Sequence, residues 1–334
     1  MTRKAASLAA LAFSLLAFAS SGEARDRLVL QLKWLPQAQF AGYYVAQAKG
    51  FYRRQDLAVT IEPGSPALAP ARALAAGSAD VAVDWLASAL AAREKGMPLV
   101  NIAQIFQRSG YELTCRRDSG VRTPADLKGK TLAVWFGGNQ FPFLAWMAKL
   151  GLRTTGRHAD LKVLHQGTGV ELLLHKKAAC ISTMSYNEYW QVIDRGMRPE
   201  DLVVFRYQDE GVATLEDGLY ALGPRLENGA FRARVARFLR ASIMGWRYAL
   251  AHQRDAVAIV LKAGGRALDR GGQTRMLREV ASLVAGGKEG VGYLDPFDYR
   301  RTVEVLLSGK GDRVIHHEPH GAWTHQIWKL AEER

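Results

Sequence analysis

Apolar and polar positions along this chain follow two rhythms. From residue 28 onward, short apolar runs that fit strands give way to stretches with apolar residues three or four apart, as on one face of a helix. "RLVLQLKW" (27–34) predicts a strand, and "AGYYVAQAKG" (41–50) predicts a helix that stops at Gly50. "LAVTIEPG" (57–64), "VAVDW" (81–85) and "PLVNIAQIF" (98–106) predict further strands, with helices over 67–80 and 86–96 between them. A second series begins with the turn "TPADLKGK" and runs through "TLAVWF", "LKVLHQ", "VELLLHKK", "CISTMS", "NEYWQVIDRG" and "DLVVFRY". After "LYALG", one long helical stretch is expected over residues 226–263. Strands and helices alternating at this length predict βαβ units and mostly parallel sheets.

The two series read as two α/β lobes. Residues 107–117 carry the chain into the second lobe and 209–220 bring it back. Two crossings with a ligand between them are the plan of a hinged binding protein. The expected division is 25–112 with 218–334 in the first lobe and 113–217 in the second. No fixed-period repeat, low-complexity tract or heptad pattern is visible.

Composition changes this picture little. Of 334 residues, 48% are hydrophobic and 23% charged, as in ordinary globular chains. The start differs. Arg3 and Lys4 precede an apolar run over 5–19 and a small-residue exit, which predicts a secretory signal peptide over 1–24, cleaved after Ala24. The run is short for a membrane span, and no later stretch approaches the about 20 apolar residues that one needs. The formal charge of +13 invites a nucleic-acid reading. Its basic residues are scattered, with no block of five, so no nucleic-acid partner is expected. Cys115 and Cys180 are read as small buried residues at strands of different lobes, not as a pair.

Candidate chemistry lies where strands lead into helices, since ligands of open parallel sheets sit beyond the carboxyl ends of strands. The first such loop offers Trp34, Gln37, Gln39 and Tyr43 around the stiffening Pro36. The second offers Asp84, Trp85 and Ser88. The third ends a strand at Trp135 and Phe136, then offers Gly137, Gly138 and Asn139, the glycines placed to turn backbone N–H groups toward a ligand. Tyr186, Asn187 and Glu188 follow a later strand, and Glu216 and Asp217 lie at the second crossing. Rings stack on a planar molecule, while amides and carboxylates read its edge. Catalytic signals are weak. "KGKT" (128–131) lacks the upstream glycine of a phosphate loop and precedes a strand. "HHEPHGAWTH" (316–325) has the wrong spacing for a zinc protease, and Pro319 breaks a helix there; surface histidines on a structural tail are expected. No catalytic residue, metal or cofactor is expected.

These residues carry a family resemblance. "LQLKWLPQAQFAGYYVAQAKGFYRRQDLAVTIEPG" is similar to the opening of ABC-importer solute-binding proteins for thiamine pyrimidine precursors. That family is wider, and takes in sulfonate- and nitrate-binding proteins and the fungal pyrimidine synthase of thiamine biosynthesis. "GSADVAVDWLASALAAREKGMPLV", "DLKGKTLAVWFGG", "YNEYW" and "FLRASIMGWRYALAHQRDAVAIVL" agree, in order. The resemblance implies a two-lobed periplasmic binding protein of type II, α/β in each lobe, with the ligand cleft between the lobes. It implies an exported, periplasmic, monomeric protein that hands a small molecule to an ABC permease and its ATPase, and touches the membrane only through that permease. It also implies rings sandwiching a pyrimidine at Trp34, Tyr43, Trp85 and Trp135, and polar contacts from Asn187 and Glu188. Relatives often have Asn and His in the first loop, where this chain has Gln37, Gln39 and Phe40, so the edge that is read differs. An aminopyrimidine is the first expectation, flavins or purines the next, and a sulfonate such as taurine the third. Where the synthase-like enzymes have their cofactor lysine and nearby histidine, this chain has Asp84 and Ser88. Their cysteine-rich run corresponds to "GVATLEDG", which has no cysteine. That activity is therefore not expected. A ligand sensor signalling through a membrane partner is a further alternative.

Overall fold

A computed structural model of the chain describes residues 25–285, 287, 289–309 and 313–333. The expected signal peptide lies outside the described residues.

The first sheet holds β1 (Asp26–Gln31), β2 (Leu57–Glu62), β3 (Val81–Asp84), β4 (Leu99–Gln104) and β10 (Gly218–Leu222) in the order β2-β1-β3-β10-β4. The second holds β5 (Tyr111–Arg116), β6 (Thr131–Val134), β7 (Lys162–His165), β8 (Cys180–Met184) and β9 (Leu202–Arg206) in the order β7-β6-β8-β5-β9. β1 runs parallel to β2 and β3, and β6 runs parallel to β7 and β8. One strand per sheet is antiparallel to its neighbours: β10 between β3 and β4, and β5 between β8 and β9. The two sheets therefore share one plan, and each antiparallel strand is the one that has just crossed from the other lobe.

The central strands are buried on both faces, which explains their largely apolar runs. VAVD of β3 and CISTM of β8 are buried throughout. Helices α1 (Ala41–Ala48), α2 (Pro70–Ala75) and α3 (Leu86–Glu94) follow β1, β2 and β3, and α4 (Phe141–Leu150), α5 (Glu171–Leu174) and α6 (Glu188–Asp194) follow β6, β7 and β8. α2 starts at Pro70, whose missing N–H costs nothing in a first helical turn.

Three expectations need correction. Residues 107–117 are not all crossing, because Tyr111–Arg116 is β5. The long stretch over 226–263 is three helices: α7 (Gly223–Glu227), α8 (Gly229–Ala251) and α9 (Gln253–Gly264). Asn228 caps α8, its side chain accepting from Phe231 N, and His252 breaks the run with φ −127° and ψ 54°. Finally, Cys115 and Cys180 form a disulfide. They belong to the same sheet, directly paired across β5 and β8. The sequence pattern hides this pairing because β5 reads there as a connector.

The chain closes with α10 (Arg270–Val284), α11 (Pro296–Leu307) and α12 (Gln326–Glu332). Near the end, Trp323 bridges to Asn101 of β4. His316 and His317 lie exposed beside Glu94, while His325 stacks on Tyr293 with ring centres 4.4 Å apart.

Candidate functional site

Strands β1, β3, β6 and β8, the parallel core of the two sheets, end facing one another. The loops after them border a space of about 290 Å³, part of it open to solvent, lined by Lys33, Trp34, Gln37, Gln39, Trp85, Trp135, Asn139, Met184, Tyr186, Asn187 and Glu188. The first five come from the first lobe and the rest from the second. Each lies at or just beyond a parallel strand's carboxyl end, as the sequence pattern predicts.

Rings make the walls. Trp34 of the first lobe meets Trp135 of the second edge-to-face, with centres 5.7 Å apart. Trp135 stacks on Tyr111 at 5.8 Å, and Tyr111 leans on Trp85 at 5.3 Å. Trp135 Nε1 donates to Gly167 O at 3.0 Å, which fixes the ring's rotation.

Polar groups form a connected floor. Gln37 Nε2 donates to Gln39 Oε1 at 2.8 Å, and Gln39 Nε2 donates to Asp217 Oδ2 at 2.7 Å. Trp85 Nε1 donates to the other Asp217 oxygen at 2.9 Å. Asp217 adopts a left-handed backbone (φ 37°), an uncommon conformation for a non-glycine residue, at the point where the chain re-enters the first lobe. Burial pushes its carboxyl up to about 6, against the two donated hydrogen bonds. On the opposite side, Glu188 accepts from Met184 N at 3.1 Å and from Asn187 Nδ2 at 2.6 Å. Burial raises its pKa to about 7, so near neutral pH it can either accept from a ligand N–H or donate to a ring nitrogen.

Lys33 and Met184 were not anticipated. Lys33 Nζ lies 2.5 Å from Asp84 Oδ1, 3.3 Å from Ser88 Oγ and 5.1 Å from the centre of the Trp85 ring. Lys33 and Asp84 are both buried. The signal available was a lysine wedged between Leu32 and Trp34 at a strand end, where solvent exposure is the ordinary reading.

Nine of the fifteen anticipated residues line the cavity: Trp34, Gln37, Gln39, Trp85, Trp135, Asn139, Tyr186, Asn187 and Glu188. The other six lie elsewhere. Tyr43 packs edge-on against Trp246 at 5.7 Å, behind the first loop. Asp84 and Ser88 hold Lys33. Gly137 and Gly138 are points of contact between the lobes. Ser88 Oγ donates to Gly138 O at 2.5 Å, and Gly138 N donates to Gln140 Oε1. A Cβ on Gly138 would lie 2.4 Å from Ser88 Oγ, and one on Gly137 2.6 Å from Pro66 O. Glu216 pins the first crossing, accepting from Ser109 Oγ at 2.5 Å, Gly110 N at 3.0 Å and Tyr111 N at 3.2 Å. Its pKa is pushed up to about 8 by burial.

Among the described residues, no group of three or more His, Cys, Asp or Glu side chains could hold a metal ion. No helix among them is long and apolar enough to cross a membrane.

Two lobes of one plan, joined by crossings and closed over a ring-walled cavity, have the periplasmic-binding-protein fold. The alkanesulfonate-binding protein SsuA of Xanthomonas axonopodis pv. citri shares it, at a TM-score of 0.58 and 16% identity over 75% of this chain and 83% of that one. The family model described as NMT1/THI5 like matches residues 37–256, and the chain belongs to that family. The riboflavin-binding protein RibY of Chloroflexus aurantiacus is 26% identical over 84% of this chain and 80% of its own length. A formylaminopyrimidine-binding protein of Halalkalibacterium halodurans is 23% identical over 73% and 72%. A 4-amino-5-hydroxymethyl-2-methylpyrimidine phosphate synthase of Legionella pneumophila is 28% identical, but over only 32% of this chain and 34% of its own.

Proposed function

We propose that this protein is an exported solute-binding protein that closes on a small planar nitrogen heterocycle and delivers it to an ABC permease driven by its ATPase. The observation that carries this is the site itself: tryptophans from both lobes meet edge-to-face at it, with Gln37, Asn187 and Glu188 at its edge. A ring packed against both Trp34 and Trp135 gains contact from each lobe only when the lobes are closed, so binding favours closure. Glu188 and the amides then read the ring's nitrogens and amino or imino hydrogens. An aminopyrimidine fits this edge, and so does the pyrimidine half of a flavin. A sulfonate fits less well. The cavity's one lysine is held by Asp84 and Ser88, the glycine turn is used between lobes, and Glu188 is a carboxylate.

We place the mature protein in the periplasm as a monomer, cleaved near Ala24, with 25–110 and 218–334 forming one lobe and 111–217 the other, since β5 opens the second lobe at Tyr111 and not at the expected 113. We assign it no turnover. Lys33 is an engaged ion-pair partner, not a free amine, and no cysteine lies near the cavity: Cys115 and Cys180 are joined to each other.

Titration calorimetry with 4-amino-5-hydroxymethyl-2-methylpyrimidine and riboflavin as probes, and taurine for contrast, tests this reading. For the heterocycle that binds, Trp34→Ala and Glu188→Ala should each weaken affinity at least tenfold, about 1.4 kcal/mol. Unchanged affinity in both folded variants contradicts the site.

A further inference from the structure

The basic residues are scattered along the sequence, yet the fold gathers many of them at one place. Residues 116–177 hold eleven lysines and arginines against four acids, whereas 178–222 hold three against eight. Much of the formal charge of +13 therefore comes from one stretch of the second lobe.

Strand register shows where that stretch puts its charge. Thr131 pairs with Lys162, Leu132 with Cys180, and Cys115 with Cys180. The starts of β6, β7 and β8 and the end of β5 therefore share one end of the second sheet. Each brings basic residues to it. Lys128 and Lys130 precede β6, and Lys176 and Lys177 precede β8. Arg153 and Arg157 lie in the loop before β7, whose first residue is Lys162. Arg116 ends β5, and Arg117 follows it. The cavity lies at the other end, beyond the carboxyl ends of β6 and β8.

The acids present here do not cancel this charge. Asp160 is shared by Lys128 at 3.4 Å and Arg153 at 3.3 Å. Asp118 is shared by Arg116 at 2.7 Å and Lys176 at 3.0 Å. Asp126 accepts from the backbone N–H groups of Arg122 and Thr123. At the start of β9, Arg198 takes up both Glu200 at 3.3 Å and Asp201 at 2.9 Å. Arg117 and Lys130 donate to the main-chain carbonyls of Glu200 and Ser119, which satisfies N–H groups but leaves the charge in place. Arg157, Lys162 and Lys177 are exposed and have no ion-pair partner among the described residues.

The kind of partner follows from what accompanies the charge. Protein interfaces are anchored by apolar and aromatic side chains that become buried, and single-stranded nucleic acids by rings that stack on bases. Residues 116–130, 153–162 and 174–177 contain no Trp, Tyr or Phe. The exposed large apolar side chains of the described residues, Leu35, Leu150, Met244 and Phe297, lie outside these segments. Spread cations without an apolar anchor suit a spread layer of anions, which a phospholipid surface supplies.

We propose that the end of the second lobe opposite the cavity rests on the anionic headgroups of a phospholipid membrane. The contact is made by this protein itself, in addition to any made through a permease. It leaves the cavity uncovered and does not depend on what the cavity holds.

Co-sedimentation of the purified mature protein with vesicles tests this, using phosphatidylcholine alone and phosphatidylcholine mixed with phosphatidylglycerol. The protein should bind only the mixed vesicles, and less as salt screens the headgroups. A lysine or arginine near an anionic surface contributes on the order of fivefold in affinity. The triple variant Arg157→Glu, Lys162→Glu, Lys177→Glu should therefore bind at least about tenfold more weakly. Arg27→Glu, Arg53→Glu, Arg72→Glu makes the same change of charge at exposed positions of the first lobe, and should keep most of the binding. Absence of binding to the mixed vesicles at low salt overturns the proposal. Equal weakening in the two triple variants overturns it too, since the attraction would then follow net charge and not this surface. Binding confined to neutral vesicles that carry the permease would make the partner a protein and likewise overturn it.

Discussion

Asp84→Ala should destabilise the protein by about 3–5 kcal/mol, the usual loss when one partner of a buried ion pair is removed. Lys33 Nζ sits 2.5 Å from Asp84 Oδ1, with the two side chains 2% and 3% exposed. The substitution strands an ammonium in a site walled by Trp85, with Ser88 Oγ as its one other bonded partner. It also removes the acceptor of the Trp85 backbone N–H, 2.8 Å away, so the ring that lines the cavity loses its anchor. The Lys33→Met, Asp84→Leu double variant should recover most of the lost stability, because a well-packed apolar pair of similar volume often replaces a buried ion pair at little cost. Urea unfolding of the wild type, both single variants and the double variant measures this as a cycle. A loss below about 1 kcal/mol in Asp84→Ala would mean that Lys33 finds water or another anion, and the dry ion pair described here would be wrong.

Replacing both cysteines with alanine should cost ~4 kcal/mol on the chain-entropy account, since the Cys115–Cys180 bond closes a loop of 65 residues in the unfolded chain. That loop runs from β5 to the first residue of β8 and contains β6 and β7 of the second sheet. The loss should therefore fall on the second lobe and separate its unfolding transition from that of the first. Chemical unfolding followed at two probes, one near each lobe, distinguishes this from a uniform shift. An unchanged transition in the double variant, or one unaffected by reductant in the wild type, contradicts a stabilising bridge.

Much of this architecture was legible in the sequence, for an identifiable reason. A buried parallel strand is a largely apolar run, so VAVD and CISTM stand out, and a residue such as Trp85 or Glu188 just beyond such a run stands out against it. What stayed hidden depends on contacts between distant residues. β5 reads YELTCR, with Glu112 and Arg116 among its six residues, and nothing local marks it as a central strand. Missing it also hid the disulfide, which needs the β5–β8 register. Lys33 and Asp84 are 51 residues apart, and each alone looks like a solvated charge. Asp217 braces Gln39 from 178 residues away. The likeness of the two lobes leaves no sequence repeat, because what recurs is strand order and direction, which many different residues satisfy.

The ring-walled cavity is proposed to hold a small planar heterocycle. The most direct measurement is mass spectrometry, with an ultraviolet spectrum, of whatever is released when the freshly purified mature protein is heat-denatured. The account predicts a stoichiometric aromatic heterocycle with ring nitrogens, absorbing above the protein's own band if the ring system is extended. Release of a stoichiometric aliphatic sulfonate or amino acid instead would contradict it.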